Sequence, residues 1–293
     1  MEEIVYLNGE LIPRSNAYLS VYDYGFLYGY GLFETMRAYN GNIFLLERHL
    51  ERLLVSAEAI GLGTGLAGID LAEACYDTLK RNDLKEARLR LTITRGEVDS
   101  LASPVIRGKS TVLVTARSYS SLDSEIYGRG YKVGISSYPR CSRTFLSGYK
   151  STSYLINILA KMEVEASGLD ESLLLNEKGY LTEGSISNVF VVAADSKIIT
   201  PPLGSGILPG ITRGMVMELA KDEDISIGEN DLRVEDLGGF QEVFLTNSVL
   251  EIMPLVQVVE NTGNVITIGS GKPGNLTKRL MSAYKKLVDY ETG

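Results

Sequence analysis

The chain has 293 residues, of which 44% are hydrophobic and 23% charged, a composition typical of globular proteins. Its net charge of −8 argues against nucleic acid or an anionic membrane as the main partner. No apolar run approaches the ~20 residues that a membrane span needs, and the acidic start is unlike a signal peptide. Two cysteines and a single histidine, His49, argue against a metal site and favour a reducing cytoplasm.

In the first part of the chain, the hydrophobic pattern predicts alternating strands and helices. Asn8-Gly9 and Asn40-Gly41 lie between apolar segments and predict two tight hairpins. Asp70 begins a capping-box pattern ahead of a helix. The predicted elements are strands at 4–7, 11–12, 32–39, 43–46, 88–94 and 111–116, and helices at 46–60 and 71–81.

Residues 118–130 are polar and lack periodicity, which predicts a linker between two domains at 1–117 and 131–293. A second domain is expected because a chain of 293 residues exceeds what one core usually organises. Together, strands and helices predict an α/β (α+β) fold class. Beyond the linker, strands are predicted at 132–136, 171–175, 188–193, 197–200 and 242–246, and helices at 153–167, 211–221 and 275–290.

Lys150 is the first candidate functional residue. It precedes an apolar helical run, and the neighbouring Tyr149 indicates a half-buried position. A helix N-terminus nearby disfavours the ammonium form, and a lysine that is deprotonated near neutral pH can form a Schiff base with a carbonyl. The alternative is an ordinary surface lysine at the start of a helix.

Two stretches downstream would serve a pyridine ring that carries a phosphate. Glu183 precedes a buried strand, and a carboxylate beside a pyridine nitrogen keeps that nitrogen protonated. Leu208–Thr212 opens a helix whose free N–H groups suit a phosphate. Each also has a plain interpretation, as a turn glutamate and as a Pro-Gly turn with a threonine cap. An amine, an acid and a phosphate site in this order nevertheless indicate pyridoxal 5'-phosphate (PLP).

Three further patterns have alternative interpretations. Arg88 and Arg90 alternate onto one face of their strand, where they would either face solvent or clamp carboxylates in a pocket. Residues 63–68 match the glycine pattern of dinucleotide sites, but they follow a predicted helix instead of a strand. Residues 269–273 lack the Ser or Thr of a phosphate-binding loop and indicate a turn.

With these motifs, the chain resembles the class IV, fold-type IV PLP enzymes. That family comprises branched-chain aminotransferases, D-amino acid transaminases and aminodeoxychorismate lyases. Besides the stretches around Lys150, Glu183 and Thr212, the matching segments are 28–37, 49–53 and 246–254. The resemblance implies a small α/β domain and a larger β-barrel-like domain with the cofactor in the cleft between them. It also implies a homodimer or a multiple of dimers.

The resemblance assigns roles to individual positions. Lys150 resembles the catalytic Schiff-base lysine, Glu183 the partner of the pyridine nitrogen and Arg52 the phosphate arginine. Tyr154 resembles the tyrosine that bonds the ring hydroxyl, and His49 becomes structural, in the helix that aims Arg52. The implied cofactor-binding residues are Arg52, Lys150, Tyr154, Glu183, Leu208 (against the ring face), Ile211, Thr212 and Ser248; the implied substrate-binding residues are Tyr28, Phe33, Arg88 and Arg90.

The chain departs from the branched-chain pattern at two places. Arg88-Leu89-Arg90 stands where Tyr-x-Arg is usual, and Asn247–Glu251 stands where Gly-Thr-Ala-x-Glu is usual. The Phe-Leu-Tyr-Gly and Thr-Asn-Ser pieces are similar to aminodeoxychorismate lyases. An additional charge at Arg88 would suit a second carboxylate, or a substrate bound in the opposite sense.

The resulting prediction is a cytoplasmic PLP-dependent transaminase. Through a Schiff base on Lys150, it would move an amino group from a branched-chain L-amino acid to 2-oxoglutarate. One alternative is a lyase that gives 4-aminobenzoate and pyruvate from aminodeoxychorismate. A D-amino acid or (R)-amine transaminase, and a PLP-holding or phosphate-binding protein without turnover, are the others. The predicted partners are small amino and 2-oxo acids.

Overall fold

The computed structural model describes residues 2–97 and 109–293, and the chain forms two compact units. The first unit comprises Met1–Ser120, Tyr149–Ser153 and Val288–Gly293, and the second comprises Ser121–Gly148 and Tyr154–Leu287. Lys150 therefore belongs to the first unit, although it lies far beyond the predicted linker. The domain boundaries at 117 and 131 stay a prediction.

A six-stranded antiparallel sheet forms the centre of the first unit, with the strand order β2-β1-β6-β5-β3-β4. Two long helices and one short helix accompany it. The elements are β1 (Ile4–Leu7), β2 (Glu10–Pro13), α1 (Tyr24–Tyr28), β3 (Gly31–Tyr39), β4 (Asn42–Ile43), α2 (Leu46–Ala59), α3 (Leu71–Arg81), β5 (Ala87–Thr94) and β6 (Thr111–Ser118).

Side-chain alternation explains how this sheet buries one face. Leu89 and Leu91 of β5 are fully buried and belong to the core that α2 and α3 complete, whereas Arg88 and Arg90 are exposed on the other face. Since side chains alternate across a strand, the two arginines share a face, as the sequence predicts.

The two predicted hairpins are confirmed. Asn8 and Gly9 join β1 to β2 with φ of 53° and 104°, and Asn40 and Gly41 join β3 to β4 with φ of 51° and 84°. Positive φ at both central residues is what Asn-Gly turns provide between antiparallel strands. The capping side chain of Asp70 also accepts a hydrogen bond from the backbone of α3, as predicted.

The second unit is built on a mixed nine-stranded sheet. Its main path is β12-β11-β10-β13-β14-β7-β8-β9, and β15 pairs with β14. The elements are α4 (Ser124–Arg129), β7 (Tyr131–Ile135), α5 (Leu155–Glu165), β8 (Glu171–Leu175), β9 (Leu181–Gly184), β10 (Asn188–Val192), β11 (Ile198–Thr200), α6 (Ile211–Asp222), β12 (Ile227–Glu229), β13 (Glu242–Asn247), β14 (Glu251–Val259), β15 (Val265–Thr267) and α7 (Asn275–Thr292). The last residues of α7, from Val288 onwards, belong to the first unit.

Strand β10 lies inside this unit, because every one of its residues is buried. Phe190 of β10 stacks on Phe244 of β13 with ring centroids 5.0 Å apart. A strand buried on both faces has a continuous apolar sequence, which is why the hydrophobic pattern predicts it correctly.

The structure adds elements that the sequence pattern does not predict. Strands β9 and β14 are among them, and helix α4 lies inside the stretch predicted as a linker, where Asp123 caps it. In the part of the chain that the structure describes, no helix combines the length and the hydrophobicity that crossing a membrane requires.

Candidate functional site

The backbone of Lys150 is held by strand β3. Phe33 donates its backbone N–H to the Lys150 carbonyl at 2.9 Å, and the backbone N–H of Thr152 donates to the Gly31 carbonyl at 2.9 Å. The Lys150 side chain is half-buried, and its Nζ lies 4.6 Å from the centroid of the Phe33 ring. A short strand-like pairing thus fixes the amine next to an aromatic face, which agrees with the half-buried position expected from the sequence.

Arg52 is oriented by a buried carboxylate that the sequence pattern does not reveal. Glu34 of β3 is 1% exposed and accepts hydrogen bonds from Arg52 Nε at 2.8 Å and Arg52 Nη2 at 2.5 Å. His49, also buried, places Nδ1 2.7 Å from the same carboxylate. Two parallel bonds from a planar guanidinium fix its direction. His49 therefore lies in the helix that orients Arg52, in the structural role expected of it.

Burial and charge oppose each other in this cluster. Burial by itself would raise the pKa of Glu34, but the charge of Arg52 and the hydrogen bonds from His49 and Arg52 lower that pKa to about 2. Burial lowers the pKa of His49 despite its bond to Glu34. Glu34 is therefore ionised and His49 is neutral, so His49 Nδ1 carries the proton and donates a hydrogen bond to the Glu34 carboxylate.

The predicted substrate residues fall into two groups. Phe33 is buried, and the guanidinium carbon of Arg90 lies 3.7 Å from its ring centroid, so Phe33 contacts both Arg90 and Lys150. Arg88 is exposed further along the same face, where Arg37 is its cross-strand partner. Tyr28 is 55% exposed at the end of α1, which is capped by Asp23. The structure thus brings Phe33, Arg90 and Lys150 together and leaves Tyr28 and Arg88 outside that group.

In the second unit, Glu183 is a buried carboxylate with several donors. One oxygen, Oε1, lies 2.9 Å from Arg140 Nη1. The other, Oε2, accepts from the backbone N–H of Leu208 at 2.9 Å and from Asn188 Nδ2 at 3.2 Å. Glu183 is therefore fixed at the end of strand β9 and is not a turn residue. Leu208 therefore lies beside the Glu183 carboxylate.

Arg140 and Asn188 are functional candidates that the sequence pattern does not identify. Arg140 also donates to the backbone carbonyls of Gly206 and Ser147, so it joins strand β9 to the connection before α5 and to the connection before α6. Asn188 donates to the Leu208 carbonyl at 3.0 Å as well. Asn188 is a polar residue at the start of a predicted buried strand, which is a signal that the sequence contains. No motif in the neighbouring sequence identifies Arg140.

The start of helix α6 has the properties of an anion site. Its N-cap residue is Gly210, and no side chain caps the first turn, which leaves backbone N–H groups at Ile211 and Thr212 for a ligand. Thr212 is 2% exposed, and its Oγ1 has no hydrogen-bond partner among the described residues. A buried hydroxyl without a partner costs free energy unless a ligand satisfies it. These groups therefore fit a phosphate.

Two more predicted cofactor residues lie in this unit. Ser248 is half-buried in the turn after β13, where Asn247 Oδ1 accepts from the backbone N–H groups of Val249 and Leu250 at 2.9 and 2.7 Å. Tyr154 donates its hydroxyl to the Ser185 carbonyl at 3.0 Å. Across residues 2–97 and 109–293, no group of three or more His, Cys, Asp or Glu side chains is placed to hold a metal ion.

Known proteins share both the sequence pattern and the fold. The chain is 35% identical to a putative branched-chain-amino-acid aminotransferase of Methanocaldococcus jannaschii over 97% of this chain and 96% of that protein. It is 36% identical to the aminodeoxychorismate lyase of Bacillus subtilis over 97% of this chain and 94% of that protein. A solved structure of the branched-chain amino acid aminotransferase from Escherichia coli superposes with a TM-score of 0.87, at 30% identity, covering 100% of this chain and 96% of that one.

These similarities confirm the predicted fold-type IV architecture, the enzyme class and the PLP cofactor. The family model for class IV aminotransferases matches residues 31–258, a segment that includes Phe33, Glu34, Arg52, Lys150 and Glu183. The chain therefore belongs to the class IV aminotransferases.

Proposed function

We propose that the protein transfers an amino group from a branched-chain L-amino acid to 2-oxoglutarate, with PLP as cofactor. The main structural support for this proposal is the position of Lys150, whose half-buried amine is fixed by β3 next to the Phe33 ring. Relatives named branched-chain aminotransferases, at 35% identity in Methanocaldococcus jannaschii and 31% in Escherichia coli, support the substrate class.

When bound, PLP supplies an aldehyde that condenses with amines and a ring that withdraws electrons from the substrate. The residues of the chain would bind, orient and move protons. Lys150 would hold the cofactor between turnovers and, once released, would carry the proton at its Nζ to and from the substrate carbon. Glu183 would hold the proton on the ring nitrogen, since its ionised form is surrounded by donors.

The phosphate would be bound by groups that are already oriented. Arg52 is fixed by Glu34, and Thr212 offers an unpaired hydroxyl at the start of α6. Ile211 and Ser248 would complete the phosphate contacts, and Tyr154 would bond the ring hydroxyl. Anchoring the phosphate keeps the geometry of the reacting atoms unchanged through both halves of a transamination.

Substrate recognition would use the exposed face of the first sheet. Arg90 beside Phe33 would bind the α-carboxylate, and aliphatic side chains would contact Phe33 and Tyr28. Arg88, on the same face, would bind the second carboxylate of 2-oxoglutarate or glutamate. The spacing of two residues along a strand, about 7 Å, is compatible with the two carboxylates of a five-carbon diacid.

A lyase acting on aminodeoxychorismate is the second candidate. The 36% identity to the Bacillus subtilis lyase favours it, and so does the additional cation at Arg88. The same Lys150, Glu183 and phosphate residues would serve this reaction, so the two candidates differ in the substrate and in whether it is cleaved or exchanges its amino group.

We also propose that the enzyme is a homodimer. Segment 18–28 exposes large apolar side chains, among them Tyr18 at 80% and Phe26 at 75%, and exposed patches of this kind mark contact surfaces. Sedimentation of the purified protein tests the dimer, and a monomer at micromolar concentration would contradict it.

A cytoplasmic location remains the prediction, and Cys75 and Cys141 are both free thiols.

Steady-state kinetics on arginine variants tests the substrate proposal. Arg90→Ala should raise KM for every amino acid donor, because all of them carry an α-carboxylate. Arg88→Ala should raise KM for glutamate and its oxo acid, 2-oxoglutarate, and leave KM for leucine unchanged. Turnover of aminodeoxychorismate by the wild type, with none of leucine, would favour the lyase; unchanged KM values in both variants would remove the arginines from recognition.

A further inference from the structure

Glu171 is a buried carboxyl group to which the proposed reaction gives no role. It begins strand β8, is 1% exposed, and lies among donors that belong to the serines of a neighbouring turn. Its Oε1 accepts from Ser185 Oγ at 2.5 Å and from the backbone N–H of Ser172 at 2.7 Å, and its Oε2 lies 3.4 Å from Ser187 Oγ. Desolvation raises its pKa, although Lys161 and the hydrogen bonds act in the opposite direction.

The turn that Glu171 contacts connects two residues of the candidate site. Glu183 is the second-last residue of β9 and Asn188 begins β10, so the turn between the two strands has only three residues, 185–187. Asn188 Nδ2 lies 3.2 Å from Glu183 Oε2, a contact that exists only if the turn keeps its shape. Packing here is close: a Cβ at Gly184 would lie 2.1 Å from Ser187 Oγ and 3.4 Å from the Glu171 carboxyl carbon.

The same turn also determines where Tyr154 points. The Ser185 carbonyl accepts from the Tyr154 hydroxyl at 3.0 Å and from Asn157 Nδ2 at 2.7 Å. The Ser185 hydroxyl, on the same residue, donates to Glu171. A movement of Ser185 would therefore displace the acceptor of Tyr154 and alter the connection from Glu183 to Asn188.

We propose that Glu171 is a positioning residue for the proposed PLP reaction. Glu171 holds Ser185 and Ser187, and the turn that contains them fixes the positions of Glu183, Asn188 and Tyr154. This inference rests on the proposed roles of Glu183 and Tyr154. Glu171 itself touches no reacting atom. Its effect passes through buried hydroxyl contacts, of which the shorter is to Ser185, and such contacts are costly to break because the remaining group is left unsatisfied.

Ser172 supplies a matched control for a serine test. Ser172 and Ser185 are both fully buried and both lie next to Glu171, but Ser172 Oγ has no hydrogen-bond partner among the described residues. Ser185→Ala removes the hydroxyl that donates to Glu171, and Ser172→Ala removes a hydroxyl without a hydrogen-bond partner in the described part of the chain. Glu171→Gln keeps the shape of the side chain and replaces one acceptor oxygen by a donor.

The experiment follows the visible absorbance of the PLP-loaded enzyme with pH, together with single-turnover and steady-state kinetics. Ser185→Ala and Glu171→Gln should keep PLP bound, shift the pH midpoint of the visible band by about 0.5–1 unit and slow the single turnover about tenfold. KM for the donor should be unchanged, and Ser172→Ala should behave as the wild type.

The outcomes separate the two hypotheses. If Ser185→Ala and Ser172→Ala have the same pH midpoint of the visible band and the same single-turnover rate, Glu171 does not position the site. This comparison does not require Glu171→Gln to be stable enough to purify. A lower melting temperature alone, with band and rate unchanged, leads to the same conclusion. If the wild type forms no visible band with PLP, or Lys150→Ala retains the band, the proposed function fails instead.

Discussion

The two units differ in the charge of their candidate functional groups. The candidates of the first unit are cations, namely Lys150, Arg52, Arg88 and Arg90, whereas those of the second are a carboxylate, hydroxyl groups and backbone N–H groups. Arg52 is held by a carboxylate of its own unit, and Glu183 is held by an arginine of its own unit. Each group is therefore oriented inside its own core before any ligand binds.

This difference predicts different consequences of mutation. Loss of an arginine from the first unit should reduce how firmly PLP or substrate is held, whereas loss of Lys150 removes the group to which PLP attaches. Loss of the carboxylate from the second unit should leave PLP attached and slow the proton transfer. Single substitutions in each unit therefore separate binding from chemistry.

Lys150→Ala should have the largest effect, which is complete loss of the visible band of lysine-bound PLP and of transaminase turnover. The physical reason is that no other amine is held by β3 beside Phe33 in the described structure. Absorbance and activity measure this, with Lys197→Ala as an exposed-lysine control. A variant that keeps both the band and wild-type turnover would refute the role of Lys150.

Glu183→Gln should keep PLP bound but slow the single turnover on the order of a hundredfold, because a neutral partner no longer favours the protonated ring nitrogen. Stopped-flow absorbance with an excess of donor measures the rate. Glu242→Gln is the control, since Glu242 accepts from the backbone of α7 and not from the candidate site. An unchanged rate in Glu183→Gln would make this carboxylate purely structural.

Arg52→Ala should weaken PLP binding about tenfold or more, because a charge-assisted hydrogen bond contributes about 1.5–3 kcal/mol. The chemical step should slow less than binding weakens. Titration of the apoenzyme with PLP measures the dissociation constant, and Arg81→Ala, an exposed arginine at the end of α3, is the control. Equal dissociation constants for Arg52→Ala and wild type would show that the guanidinium does not bind the phosphate.

The prediction with the smallest effect on catalysis concerns acid stability. Because the pKa of Glu34 is lowered to about 2, its ionised form stabilises the fold above the ordinary pKa near 4.5. That stabilisation, about 3 kcal/mol, should be lost as pH falls from about 4.5 towards 2. The lowered pKa of His49 acts in the same direction, since acid would charge a buried ring.

Urea unfolding of wild type and Glu34→Gln between pH 7 and pH 3 measures this effect. The variant should be less stable at pH 7 and should depend less on pH in the acid range. Parallel curves for the two proteins would show that Glu34 does not titrate as described.

Much of the fold follows from local sequence pattern. The alternation around Arg88–Thr94 and the Asn-Gly turns predict strands and hairpins because these signals depend on neighbouring residues alone. The pattern does not predict strand β14 because Pro254 argues against a central strand, yet Pro254 pairs opposite Phe244 in the sheet. Strand β9 escapes prediction because its sequence, Leu-Thr-Glu-Gly, contains no apolar run.

The candidate site divides in the same way. Lys150 and Glu183 lie in recognisable motifs, so the sequence identifies them. Glu34, Arg140 and Glu171 acquire their partners through contacts between residues far apart in the chain, and no local spacing reveals those contacts. Glu34 and Glu171 are both buried, but the charge of an arginine lowers the pKa of one while desolvation raises that of the other.

The central claim is that Lys150 carries the cofactor, and chemical trapping tests it most directly. Borohydride reduction of the PLP-loaded protein fixes the cofactor on the amine that holds it, and peptide mass mapping then locates that amine. We predict a phosphopyridoxyl group on Lys150, and none on Lys150 after the donor has converted the cofactor to its amine form before reduction. A label on another lysine, with Lys150 unmodified, would contradict the account.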